Sequence, residues 1–160
     1  MWVVEDYLDG DVPAGAVDFE TAAEYFATII DHLRDGDHQA IRDRGAAIAA
    51  AGHAAVNDEL ASRLTALRTR LPAEPADRQL SVVGGNVMRL DDYLWTRIVE
   101  QVVHLDDLAR SLDKEPWIHP PDAAALVVSC GAEIGRRRFG DAAMIRAIYR
   151  GGTSALPVLG

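Results

Sequence analysis

The feature that most constrains this chain is the spacing of apolar residues after position 90. At about 100° per residue, Leu90, Leu94, Ile98, Gln101, Leu105, Leu108 and Leu112 share one broad face, apolar except for Gln101. Recurrence at three and four residues predicts a helix from Asp91 or Asp92, as its cap, to about Leu112. Beside the apolar face runs a second stripe of Tyr93, Arg97, Glu100, His104, Asp107 and Ser111, and beyond it Val99 and Val103 are apolar again. Only the sector of Trp95, Asp106 and Ala109 is left for water. A polar stripe with apolar flanks predicts a buried or half-buried polar site. Burying Arg, Glu, His and Asp together is costly unless they pair, bond or hold an ion.

The rest of the chain reads as mostly α. Trp2, Val3, Val4, Tyr7 and Leu8 look like the end of a helix, and Asp9 to Gly15 is a Gly/Pro/Asp loop. Asp18 is the expected N-cap of a helix carrying Phe19, Ala22, Ala23, Phe26, Ile29, Ile30 and Leu33, with Gly36 as its stop. A second helical stretch covers 37–71, with a loose apolar face of Ile41, Ala47, Ile48, Ala51, Ala55, Leu60, Leu64 and Leu67. Gly45 and Gly52 mark a bend or break in it, and its charged end at Arg63, Arg68 and Arg70 reads as solvated. Gln79–Val83 and Asn86–Leu90 flank Gly84-Gly85, the pattern of a β-hairpin. After a proline-rich link at Pro116, Pro120 and Pro121, Asp122 is the expected cap of a helix to Phe139. Gly140 separates it from a short helix over 141–150. Residues 151–160 read as a tail after a single domain over 1–150, the count that 160 residues favour.

Composition narrows the partners. The formal net charge of -9 argues against nucleic acid, which needs a clustered basic face. The single cysteine, Cys130, excludes an internal disulfide framework and any CxxC zinc site. The first residues lack a basic region followed by an apolar run, and the longest nearly apolar run, Ala123 to Ala132, is far short of the roughly 20 residues of a spanning helix. The expectation is a cytoplasmic protein that binds neither membrane nor nucleic acid. With Lys114 as its one lysine and abundant arginine, alanine and glycine, the chain carries the residue usage of high-GC bacterial coding.

Chemistry concentrates on the polar stripe. Glu100 and His104 stand one turn apart and can share one ion. Carboxylate plus imidazole suits zinc first, and also Ni(II), Fe(II) or Mn(II). A catalytic zinc normally takes three protein ligands and an open position, so two are not a complete set. Asp107 can take the other imidazole proton, and Arg97 can pair with a carboxylate or steady an anion. The plain alternative is a hydrogen-bonded surface pair.

The string Asn86-Val87-Met88-Arg89-Leu90-Asp91-Asp92-Tyr93-Leu94-Trp95-Thr96-Arg97-Ile98-Val99-Glu100-Gln101-Val102-Val103-His104-Leu105-Asp106-Asp107-Leu108 resembles the mycothiol-dependent maleylpyruvate isomerase family of the DinB-like helical bundles. The likeness lies in the hairpin strand, the Asp-Tyr-Leu helix start and the pattern T-R-x-x-E-x-x-x-H-x-x-D-L. A looser likeness in helix order covers most of the chain. The resemblance implies an up-down DinB-like bundle with a short β-hairpin, holding a divalent metal through His, Glu and His. Glu100 and His104 match the second and third of these. It also implies that this chain lacks the family's first helix and first histidine, with Met1–Leu8 matching the tail of the second helix. The family's extra α/β domain has no room here, and the final helices with Leu156-Pro157-Val158-Leu159 match its shorter ending.

Two functions follow as expectations. One is thiol-dependent isomerase or transferase chemistry on a small-molecule substrate, with zinc and mycothiol as cofactors and with Arg97 and Asp107 as catalytic residues. The other is a non-catalytic bundle that dimerises over the groove left by the missing helix. Of the other histidines, His53 in the Ala-rich middle is the first substitute ligand, while His32, His38 and His119 read as surface or helix-end residues. Cys130 reads as a small buried apolar residue, Arg136-Arg137-Arg138 as a solvated helix end, and the three tryptophans as core or interface.

Overall fold

The structure is a computed structural model, and it describes residues 2–29, 35–117 and 119–150. The protein is mostly α. Its helices are α1 (Trp2–Asp9), α2 (Ala22–Ile29), α3 (Asp35–Ala49), α4 (His53–Arg70), α5 (Leu90–Ser111), α6 (Pro121–Phe139) and α7 (Asp141–Arg150). Strands β1 (Gln79–Ser81) and β2 (Val87–Arg89) form the antiparallel pair. Among the described residues, no helix is long and apolar enough to cross a membrane. The expected tail at 151–160 lies outside the described residues. By backbone contacts the chain divides into two units, residues 1–18 with 32–90 and residues 19–31 with 91–160.

In the first unit the core is built on the hairpin. Leu80 faces Met88 across the ladder, and both are buried with Val82, Val87 and Leu90. Alternation places Leu80 and Val82 inward and Ser81 outward, as a half-buried strand requires. Val4 and Leu8 of α1 and Leu67 of α4 are buried too, and α1 packs on β1. The hairpin expectation holds, with a longer loop. Val82 donates its N–H to the Asn86 carbonyl at 2.7 Å, leaving three residues at the turn. Gly84 and Gly85 both take positive φ, 75° and 78°, which a side chain would resist.

Expectations about this unit are corrected first at Asp18 and at the charged end of α4. Asp18 caps no helix. Its N–H donates to the Val87 carbonyl (2.9 Å) and its Oδ2 accepts from the Val87 N–H (2.7 Å), so it is held by β2. The charged end of α4 is also more than a solvated surface. Arg63 Nη1 donates to Glu5 Oε2 at 2.6 Å and Arg70 Nη1 to Asp9 Oδ1 at 2.6 Å. Arg70 and Arg78 both donate to the Leu8 carbonyl (2.8 and 2.7 Å), one of the carbonyls that the end of α1 leaves unpaired. Glu74 joins the two guanidiniums at 3.1 and 2.7 Å. Arg70, then Arg78, hold its carboxyl below the usual carboxylate range. The same residues that mark a polar surface in sequence thus fasten α1 in place.

The stretch expected over 37–71 breaks at Gly52, which takes φ 84°, while Gly45 lies inside α3. Gly36, the expected stop, also lies inside α3. Of the loose apolar face only Leu67 is buried, with Ile41, Leu60 and Leu64 exposed. Alanine offers too little area to bury this face.

In the second unit, α2 begins at Ala22 because Thr21 and Glu24 form its cap. Thr21 Oγ1 accepts the Glu24 N–H (3.1 Å), and Glu24 Oε2 accepts the Glu20 N–H (3.0 Å). This is close to a capping box, Thr-x-x-Glu. Ala22, Ala23, Tyr25 and Phe26 are buried. Phe19 and Tyr25 meet edge to face at 5.7 Å, and Tyr25 and Phe26 at 5.5 Å. Helix α2 packs on α6, where Ile134 and Gly135 are buried, and α7 packs on α6 after the turn at Gly140. Pro121 opens α6, so Asp122 sits in its first turn and is not its cap.

Candidate functional site

Helix α5 starts directly from β2, at Leu90, one residue before the expected cap. Asp91 and Asp92 fall in its first turn, where the positive helix end favours them. From there the helix divides by burial. Tyr93, Thr96 and Val99 are at most 2 % exposed. Thr96 Oγ1 donates to the Tyr93 carbonyl (2.6 Å) and accepts from Arg97 Nε (3.0 Å). The Arg97 guanidinium lies over the Tyr93 ring, 4.9 Å from its centroid, a cation–π contact. Arg97 is therefore fixed by Tyr93 and Thr96 and not by the Glu100 carboxylate.

One turn further, Glu100 and His104 are together, as their spacing requires. His104 Nε2 is 3.0 Å from Glu100 Oε2, and Nδ1 is 3.5 Å from Asp107 Oδ2. Burial is where the expectation fails. The side chains are 36 % exposed for Glu100, 70 % for His104 and 59 % for Asp107. Leu105, Leu108 and Leu112, expected on the buried face, are also exposed. The polar stripe is semi-buried at its Arg97 end and solvated at its Ser111 end.

Glu100 and His104 suit a borderline divalent cation by donor type. A neutral imidazole can donate from only one nitrogen, and an ion at Nε2 would need its lone pair, with Asp107 left to orient Nδ1. The number of donors falls short. Among the described residues, no group of three or more His, Cys, Asp or Glu side chains is placed to hold a metal. His53, the proposed substitute, is exposed on α4 and lies 3.3 Å from Asn57 Nδ2. His32 and the side chain of His38 lie outside the described residues. His119 is partly exposed in the link before α6.

The basic end of α6 is the solvated helix end expected, with an ion-pair network on it. Arg136 donates to Glu133 from Nε and Nη2 (2.7 Å each), and Arg137 Nε does so at 2.8 Å. Arg136 first, then Arg137, pull the Glu133 carboxyl down to about 2. Burial pushes the Cys130 thiol up, and Glu133 adds to this. Of the core or interface positions expected for the tryptophans, Trp95 and Trp117 take no core position, since both are exposed, while the side chain of Trp2 lies outside the described residues.

One concave site went unread in the sequence. A cavity of about 540 Å³ in the second unit is lined from the start of α2, the first turns of α5 and the first half of α6. Trp95 lines it, from the sector of α5 that periodicity gives to water. The available signal was the alanines at 22, 23 and 125, which line it together with that indole and leave room where larger side chains would fill it. In comparisons with protein-family models, curated proteins and solved structures, nothing matches the chain.

Proposed function

We propose that this chain is a divalent-metal-binding helical protein of the DinB-like kind, related to the mycothiol-dependent maleylpyruvate isomerases. In this reading Glu100 and His104 supply two donors, and the third comes from outside the described residues or from another molecule. The observation that carries it is the 3.0 Å approach of Glu100 Oε2 to His104 Nε2, backed by Asp107 at Nδ1. A bound cation would lower the pKa of a thiol such as mycothiol, or of a water, for isomerase or transferase chemistry on a small substrate. Arg97, fixed over Tyr93, is the cation for an anionic substrate group, and Asp107 orients the imidazole. Zinc titration of the purified chain by calorimetry tests this. Stoichiometric binding that is lost in His104→Ala supports it. No binding, or binding unchanged in His104→Ala, overturns it.

A second reading rests on Leu105 and Leu108 of α5 and Leu112 just past its end, which are 40 %, 54 % and 59 % exposed. Three leucines at helical spacing in water mark an association surface, and the non-catalytic alternative is a homodimer through them. Sedimentation would find a dimer that Leu108→Asp converts to a folded monomer. A folded monomer for the unaltered chain would end this reading.

A further inference from the structure

The α2–α5–α6 cavity lies outside the Glu100–His104 stripe and has a definite chemistry. Its volume of about 540 Å³ falls in the range that holds small organic ligands. Ala22, Ala23 and Ala125 give it low apolar walls, and the Trp95 indole gives it a flat one. Among the described residues, Asp92 is the one charged residue that lines it. The start of α2, which also borders it, is not an open anion site, because the Thr21 hydroxyl and the Glu24 carboxylate already accept the N–H groups of Glu24 and Glu20. Glu24 at that helix end is itself 3.7 Å from Arg137 Nη1 and does not line the cavity, while the chain as a whole carries -9. Among the described residues that line the cavity, an anion would meet the Asp92 carboxylate and no cationic side chain. A flat ring would meet an indole and alanines, and a positive charge on that ring would meet Asp92.

We propose that this cavity binds a small aromatic ammonium, with its ring against Trp95 and its charge toward Asp92. An indole face and a carboxylate together are the usual means of holding an organic cation. Cys130 lines the same cavity and is the one cysteine of the chain, so its thiol reports occupancy at a known place.

The test is the rate at which iodoacetamide alkylates Cys130 in the full chain at mildly alkaline pH. Four additives are compared: 1-naphthylmethylamine, its neutral counterpart 1-naphthylmethanol, 1-naphthoate and butylamine. The expected result is saturable slowing by the naphthylmethylamine, weaker slowing by the alcohol, and none by naphthoate or butylamine. The preference for amine over alcohol should reach up to about fivefold, the scale of a partly exposed ion pair. In Asp92→Asn that preference should disappear while ring binding survives. In Ala125→Trp, which fills the cavity, protection should vanish. Circular dichroism checks that variant, and Asp92→Asn stands alone if it does not fold. Protection by naphthoate equal to that by the amine, slowing that never saturates, or an amine preference that persists in Asp92→Asn would overturn the proposal.

Discussion

The two halves of α5 carry the same sequence period and meet different fates. From Leu90 to Val99, the residues at Tyr93, Thr96 and Val99 are sealed from water, and a buried hydroxyl and a stacked guanidinium tie Tyr93, Thr96 and Arg97 together. From Glu100 to Ser111 the helix stays regular, yet its leucines and its acid–imidazole pair lie in solvent. A helix of 22 residues can keep its hydrogen bonds without burying its whole length. Amphipathic spacing therefore states which face could be buried, and neighbouring elements decide how much of it is.

The sharpest way to break this contrast is Tyr93→Ala. At 1 % exposure the ring leaves a cavity and strips Arg97 of its stacking surface. The expected loss is about 3–5 kcal/mol in urea unfolding. A loss near zero would mean that the first half of α5 is no better anchored than the second.

Thr96→Val sharpens the comparison further, since it keeps the shape and removes the hydroxyl that donates to the Tyr93 carbonyl and accepts from Arg97. The expected cost is about 1 kcal/mol, again read by denaturant unfolding.

Glu133 gives the scale for an acid at nearly the same exposure as Glu100, 33 % against 36 %. Its folded pKa, about 2, lies below the ordinary value of 4.5. Ionisation therefore favours the folded state. The contribution is complete above the ordinary carboxylate range and is lost as pH falls from there through about 2. Glu133→Gln should cost less than about 1 kcal/mol at neutral pH, after screening. Stability curves of variant and parent should converge at the acid end. Divergence as pH falls would reverse the sign.

The smallest effect is expected for Leu108→Ala, within about 0.5 kcal/mol of the parent at a concentration where the chain is monomeric. A loss as large as that of Tyr93→Ala would show that the C-terminal half of α5 is covered after all.

What could be read in the sequence follows the range of the forces involved. The α5 helix, the Gly84-Gly85 hairpin, the α6–α7 break at Gly140 and the Glu100–His104 approach were legible, because each depends on residues within a few positions. The start of α2 was misplaced, because both Asp18 and Thr21 are good caps. Which one serves depends on Val87, far along the chain. The role of Arg70 and Arg78 at the end of α1 was hidden for the same reason, since guanidiniums on a helix surface look alike whether they face water or a carbonyl of another helix.

Sequence alone determined the mostly helical character, the presence of the Gly84-Gly85 hairpin and the meeting of Glu100 with His104, since backbone periodicity and turn chemistry act locally. Tertiary structure decided that the polar stripe opens to solvent past Glu100, that Arg97 is held by Tyr93, and that small alanines together with Trp95 line a cavity. Burial depends on which distant side chains arrive to displace water, and no spacing along one strand or helix contains that information.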